Sequence, residues 1–484
     1  MNFNSLSYLL FLPAMLLLYF LLPRRVKNPV LLIASYGFYM GWGPAYALLL
    51  LFATLTTFFA ALAMERELWG RRKLWLAAAL VLNFGVLFVF KYFNFFAGLT
   101  AVALRALGLA VPAVSVDLLL PVGISFFTFQ VLGYAIDVCR RKIPAEHSFV
   151  DYALFVSFFP QLVAGPIDRA GSLLPQLKAV RSFSDENLKA GCLRLLWGLM
   201  KKMILADRLA TIVNTVYADV ASYSTGQLLL ASVCFSFQIY CDFSAYSDIA
   251  VGSARMLGVR LMENFRFPYG AHSLKEFWRR WHISLSTWFQ DYLYFPLGGN
   301  RVPKWRHCLN LLIVFTVSGL WHGAAVTFVL WGLLHGLGQV AGILLKPVRE
   351  WVYRRVIPKE SAVMRCLSLL ATFALVTAAW VFFRAVTVAD ALHVLHAVAG
   401  YPLHFALPQV STLGLSRKLL VVVAAFLVLL NVVDALREKH DLSAWFCRRD
   451  AARYAVYFFL IVSILLFGYY GTAYDVQDFV YFRF

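Results

Sequence analysis

The sequence predicts an all-α polytopic membrane protein, and three observations carry that prediction. Hydrophobic residues make up 61% of the 484 and charged residues only 14%, with a mean hydropathy of +0.72. A soluble domain carries about 25% charged residues. Apolar runs of spanning length, about 20 residues each, recur along the whole chain. Lys and Arg gather in the short segments between those runs, the pattern of cytoplasmic loops. No polar stretch is long enough for a separate soluble domain, so the reading is a single transmembrane domain over residues 1–484.

The elements follow in order. The run at 5–23 has no basic segment before it, and Arg24, Arg25 and Lys27 come after it. That order fits a retained first span with its N-terminus outside better than a cleaved signal peptide. Further runs lie at 28–43, 44–63, 74–93 and 118–138, with cations at Arg66, Arg71, Arg72 and Lys73 and at Arg140, Arg141 and Lys142. The segment "DYALFVSFFPQLVAGPID" (151–168) contains Pro160, Gly165 and Pro166 and reads as a broken or re-entrant helix. More runs follow at 190–218, 227–253, 308–324, 325–345, 363–383, 417–433 and 454–472, giving about twelve crossings. Lys201 and Lys202 sit awkwardly inside one of them. With 151–168 re-entrant, the cationic loops fall on one side, both termini are extracytoplasmic, and residues 254–307 form a cytoplasmic-side re-entrant or interfacial region. The expected location is the cell (cytoplasmic) membrane.

The net charge of +19, from 44 Lys and Arg against 25 Asp and Glu, is what such loops produce. No nucleic-acid-binding motif accompanies it, so no nucleic-acid partner is expected. The seven cysteines are scattered without a CxxC pair and read as small buried hydrophobes, not as disulfides or zinc ligands. Transporters are often built from repeated halves, and no such repeat is visible.

Chemistry concentrates in three stretches. In "FSFQIYCDFSAYSDIAVG" (235–252), Gln238, Asp242 and Tyr246 share one helical face and Asp248 points elsewhere. Acids within a span are functional candidates by default, and a structural hydrogen-bond network is the competing explanation. In "EFWRRWHISLSTWFQDYLYFPLGGNR" (276–301), Arg279 and His282 fall at i, i+3 on one predicted face, interfacial aromatics surround them, and Gly298 and Gly299 break the helix. The plain alternative is an interfacial amphipathic helix without chemistry. In "SGLWHGAAVTFVLWGLLHG" (318–336), His322 lies far from any formal charge, Gly323 leaves room beside it, His335 is also followed by glycine, and Trp321 and Trp331 supply flat walls. Burial keeps such an imidazole neutral. His282, His322 and His335 form no HxxxH or HExxH spacing, so no metal is expected. A general base is the more natural role, since histidine titrates near working pH. No GxSxG elbow is present, so nothing requires an acyl-enzyme.

Several stretches resemble the membrane-bound O-acyltransferase (MBOAT) family, in its bacterial alginate O-acetyltransferase-like branch. They are "LLPVGISFFTFQVLGYAIDVCR" (119–140), "FFPQLVAGPIDR" (158–169), "YCDFSAYSDIAVG" (240–252), "ENFRFPYGAHSLKEFWRRWHISLSTWFQDYLYFPLGGNR" (263–301), "GLWHG" (319–323) and the closing "DFVYFRF". The resemblance covers most of the chain and implies a helical ring around a central tunnel. It implies that His322 and His282 are the catalytic histidines. It also implies a cytoplasmic thioester donor, acetyl-CoA or an acyl carrier protein, with no bound cofactor. Arg279, Arg280 and Arg301, with Lys304 and Arg306, stand where donor phosphates would approach. Asp242, Tyr246 and Trp321 are further candidates for substrate contact. Two positions depart from the family's usual residues: Gln290 where Arg is common, and Ala245 where Gly is usual. Gln290 puts in doubt a donor-binding role at that position.

The implied function is transfer of an acyl group, acetyl by expectation, across the membrane for O-acetylation of an extracytoplasmic polysaccharide. The implied partners are an SGNH-type extracytoplasmic O-acetyltransferase and membrane lipid. D-alanyl transfer to teichoic acid from a carrier protein is the same-class alternative. A polysaccharide or lipid transporter and an envelope scaffold are the other-class ones.

Overall fold

A computed structural model describes residues 1–67, 70–109, 114–179, 182–400, 412–471 and 479–480. Of the closing "DFVYFRF", only Phe479 and Val480 lie within them. The described residues form helices and their connections, without strands. They build two compact units, Met1–Leu195 with Ser247–Met262, and Leu196–Tyr246 with Glu263–Phe484.

The first unit begins with α1 (Leu6–Leu21), α2 (Arg24–Met40), α3 (Pro44–Glu65), α4 (Arg72–Leu87) and α5 (Phe93–Ala106), the last two joined through a π-helical segment, Phe88–Tyr92. Then come α6 (Ile124–Cys139), α7 (Phe149–Ser157), α8 (Phe159–Leu162) and α9 (Ala170–Lys178). The expected break in 151–168 is the α7–α8 junction, with Pro160 in the first turn of α8. Ser148 caps α7 by accepting from the Asp151 amide at 3.3 Å. Tyr8 on α1 bonds Ser253 at 2.7 Å, and Gln130 on α6 donates to the Phe155 carbonyl at 2.7 Å.

α10 (Asp185–Met200) leads through the π segment Lys201–Ala206 into α11 (Asp207–Ala218). α12 (Thr225–Met256) is the most thoroughly buried of the spanning helices. The second unit continues with α13 (Leu274–Arg280), α14 (Ile283–Phe289), the π segment Gln290–Tyr294, α15 (Lys304–His322), α16 (Val326–Leu344), α17 (Lys346–Arg355), α18 (Ala362–Arg384), α19 (Val388–Gly400), α20 (Arg417–Lys439), α21 (Leu442–Cys447) and α22 (Asp450–Phe467).

Among the described residues seven helical runs are long and apolar enough to cross a membrane, and α1, α6 and α19 are shorter apolar helices. Large apolar side chains such as Leu10, Leu17, Val81, Leu375, Val421 and Phe458 stand exposed, which suits lipid and not water. The chain is a multi-pass membrane protein.

Two close approaches shape the helices that carry the site. A Cβ on Gly319 of α15 would overlap the Phe328 carbonyl oxygen, and one on Gly332 of α16 would overlap that of Phe315. The two glycines therefore let α15 and α16 pack backbone against backbone, as small residues do between membrane helices. Ser273 caps α13 by accepting from the Glu276 amide at 3.2 Å, while Glu276 reaches back to the His272 amide at 2.8 Å. The pair fixes where α13 begins.

Candidate active site

α13 stops at Arg280, and His282 takes a left-handed conformation, φ 42° and ψ 54°, before α14 begins. Arg279 and His282 are therefore not on one helical face, contrary to the spacing argument. The cause is tertiary: the Ile283 amide donates to the Asn264 carbonyl at 2.9 Å, and the Arg266 amide to the Arg280 carbonyl at 2.9 Å. The 264–266 segment is thus stitched across the α13–α14 junction. Left-handed backbone at a non-glycine residue costs about 1–3 kcal/mol and persists only where surroundings enforce it.

Asn264 also fixes the imidazole. Its Oδ1 accepts from the Ser284 amide at 3.2 Å and from Ser284 Oγ at 3.0 Å, and it lies 3.1 Å from His282 Nδ1. A backbone amide can only donate, so Oδ1 is the acceptor here and His282 Nδ1 carries the hydrogen. Nε2 is then the lone-pair nitrogen. His282 is fully buried, and burial pushes its titration down to about 3. The ring is neutral at working pH.

His322 is the last residue of α15. Gly323 follows it, and a Cβ there would collide with the Phe328 ring. Glycine lets that ring pack directly against the backbone that follows the histidine. The His322 and His282 ring centroids are 6.3 Å apart. Around them stand Trp331 and Trp321, 4.9 and 5.0 Å from the His322 ring, and Phe243, 4.5 Å from the His282 ring. His322 is also buried. Two buried imidazoles thus face one another within an aromatic enclosure.

His335 differs. Trp278 Nε1, which can only donate, bonds His335 Nδ1 at 3.2 Å, tying α13 to α16. Its ring stacks on Phe277 and meets Trp278 and Trp331 edge-on.

A cavity of about 260 Å³ adjoins the enclosure, with Phe328 and Phe383 as its shared wall. Its polar lining includes Asp207, Asn214, Gln238, Asp242, Thr327 and Arg384. Gln238 and Asp242 come from the predicted polar face of α12. Asp242 Oδ1 accepts from Lys202 Nζ at 2.8 Å, and Lys202 also pairs with Asp207 at 2.9 Å. The other Asp242 oxygen accepts from the Val480 amide at 2.8 Å. Tyr246 stacks on Phe479 at 4.1 Å. Lys201 donates to Ser244 at 2.7 Å. The awkward lysines are thus ion-paired or hydrogen-bonded inside the unit.

Of the other predicted residues, Trp321 lies 6.2 Å from His282. Arg280 pairs with Glu276 and Glu438, each at 2.7 Å. Arg279 and Arg301 are exposed. Asn264 and Asp207 were not singled out by sequence. Asn264 sits inside the quoted 263–301 stretch, but a lone asparagine has no spacing that links it to a histidine 18 positions on. The two lysines gave a signal, charge in an apolar run, without naming a partner. Among the described residues no three His, Cys, Asp or Glu side chains gather as a metal site.

The model of the MBOAT, membrane-bound O-acyltransferase family, matches residues 45–350. The chain is 40% identical over 393 residues to the "Probable alginate O-acetylase AlgI" of Pseudomonas aeruginosa, covering 80% of this chain and 72% of that protein. It is 36% identical over 423 residues to the peptidoglycan O-acetyltransferase of Helicobacter pylori, covering 81% and 78%. It is 28% identical over 231 residues to the teichoic acid D-alanyltransferase of Streptococcus thermophilus, covering 45% and 55%. The matched span includes both buried histidines with Phe243, Trp321 and Trp331 around them, and the chain belongs to the membrane-bound O-acyltransferase family and is an acyltransferase.

Proposed function

We propose that the protein transfers an acetyl group from a cytoplasmic thioester, acetyl-CoA or a loaded acyl carrier protein, to a hydroxyl on the opposite side of the membrane. The end product is an O-acetylated envelope polysaccharide. The observation that carries the reading is the pair of buried histidines 6.3 Å apart, with a polar-lined cavity at their wall. The greater similarity to O-acetylases than to D-alanyltransferases supports acetyl as the group.

In this reaction the acceptor oxygen attacks the thioester carbonyl carbon, the C–S bond breaks, and the thiolate takes up the proton that the hydroxyl lost. His322 is the base that carries that proton between them. A neutral imidazole suits the task, and such proton transfer contributes about 10²–10⁴-fold. His282, with Nδ1–H held by Asn264, presents Nε2 as an acceptor. It therefore orients a hydroxyl or the partner imidazole instead of donating to an oxyanion. Aromatic walls exclude water, so the thioester meets the acceptor and not hydrolysis. Holding both reactants in line removes much of the entropic cost.

Arg279 and Arg301 attract the donor's phosphates at the entrance. The acceptor of this step is a hydroxyl on a separate SGNH-type transferase outside the membrane, which passes the group to the polymer. The test is label transfer from radiolabelled acetyl-CoA to that partner by the purified full chain. Transfer by wild type and its loss in His322→Ala support the reading. Transfer only from a D-alanyl carrier would replace acetyl with D-alanyl.

A further inference from the structure

Gln238 belongs to the polar face of α12, yet the chemistry above gives it no part. It lines the cavity of about 260 Å³ near the histidines and is only 6% exposed. Its Oε1 is enclosed and has no hydrogen-bond partner among the described residues. The charged groups of that wall are engaged with one another or with amides. Lys202 holds Asp207 and Asp242, and Arg384 donates to Asn214 at 2.9 Å. Leaving a buried amide oxygen unbonded is costly and calls for an explanation. The last torsion of glutamine is soft, so the amide can turn its oxygen or its nitrogen toward a ligand in the cavity.

The cavity lies at one end of three helices. α15 starts at Lys304, between Arg301 and Arg306, and ends at His322. α16 starts at Val326 and leads to the cationic α17, and α18 returns from Ala362 to Arg384. Ala325, Thr327 and Arg384 line the cavity, so it sits at the ends away from those cationic segments. By the positive-inside rule this end is extracytoplasmic, the side from which the acceptor hydroxyl arrives. Phe383 carries the wall on to His322, with ring centroids 5.5 Å apart.

The lining restricts what can enter. Asp207 and Asp242 are balanced by Lys202 and Arg384, so these groups select for neither an acidic nor a basic ligand. A carboxamide presents a donor and an acceptor side by side, the complement of a peptide group. A serine hydroxyl stands off its backbone on a single CH2 and can enter a small cavity alone. A ring hydroxyl of a polysaccharide brings the ring and both linkages with it. Resting on the acetyl-transfer reading above, we propose that this cavity seats a serine-bearing segment of the partner transferase, with Gln238 hydrogen-bonded to the peptide group beside the serine that takes the acetyl group.

The test supplies the purified full chain with radiolabelled acetyl-CoA and, at equal concentrations, N-acetylserine methylamide or methyl glucoside. The serine Oγ–acetyl bond forms as the C–S bond breaks, and the CoA thiol keeps the proton. The serine amide should be acetylated at least about tenfold faster than the glucoside. Gln238→Met, close to glutamine in size, should raise the KM for the serine amide about tenfold, the worth of one or two hydrogen bonds. It should leave kcat and the KM for acetyl-CoA within about twofold, the split expected when only acceptor binding is lost. If that variant fails to fold, Gln238→Asn, which withdraws the amide by one methylene, should show the same split. Preference for the glucoside overturns the proposal, as does an unchanged KM for the serine amide in a folded variant. So does release of label to water by wild type without transfer to the serine amide, an outcome that leaves acetyl-CoA as the donor. Absence of both hydrolysis and transfer would remove the acetyl-transfer reading and the proposal with it.

Discussion

The unit that carries the histidines buries polarity in two ways, and the contrast is instructive. Around Lys202 it buries full charges: one ammonium between two carboxylates, with the Val480 amide completing Asp242. Around His282 and His322 it buries imidazoles among aromatic side chains, with a single amide oxygen from Asn264 setting the tautomer of His282. Charge is kept on the cavity wall, and the His322 ring packs against Phe383 from that same wall. A base that must gain and lose a proton works best away from fixed charge that would lock its state. A charge cluster holds elements together because it cannot let go.

The contrast can be broken at either end. Lys202→Met leaves two carboxylates buried without their cation, and removal of one partner from such a cluster costs about 3–5 kcal/mol. A large drop in apparent Tm in detergent is expected, and an unchanged Tm would show that the cluster is not structural. Asn264→Ala strips the acceptor from His282 Nδ1 and from the Ser284 amide. The loss should be about 1–3 kcal/mol in stability, with a fall in kcat that exceeds any change in donor KM. A change confined to KM would remove Asn264 from the positioning of His282.

Acid sharpens the comparison. His282 titrates near 3 when folded against about 6.5 when unfolded. Its contribution to stability is complete above pH 6.5 and is lost as the pH falls toward 3, because the unfolded chain then binds a proton that the native site refuses. By pH 5.5 this is about 1.4 kcal/mol. The Tm difference between pH 7.5 and 5.5 should therefore shrink in His282→Gln, and an undiminished difference would contradict the assignment. The smallest effect is expected at the third histidine. Trp278→Phe removes one hydrogen bond to His335 at about 1 kcal/mol and should leave acyl transfer within about twofold.

Much of this was legible in the sequence. Helices stand at each predicted run, the 151–168 break falls at Phe158, two residues before Pro160, and Gln238 and Asp242, from the polar face that their spacing implied, line one cavity that Tyr246 does not. Periodicity reports faces within one helix, so contacts between helices escaped it. The α13–α14 break has no glycine or proline to announce it and arises from pairing with 264–266. Asn264 acquires its role through His282, 18 positions on, and Lys202 in part through Asp242, 40 positions on. His322 and His335 look alike in sequence, each followed by glycine, but His322 faces His282 whereas His335 takes a hydrogen bond from Trp278.

That separation supplies the most direct test of the central claim. Acyl transfer to the proposed extracytoplasmic transferase should be measured for His322→Ala and His335→Gln, each matched to wild type in melting and elution. The expected result is a fall of about 10²–10⁴ for His322→Ala and a change of no more than a few-fold for His335→Gln. Equal losses in the two variants, or full activity in His322→Ala, would contradict it.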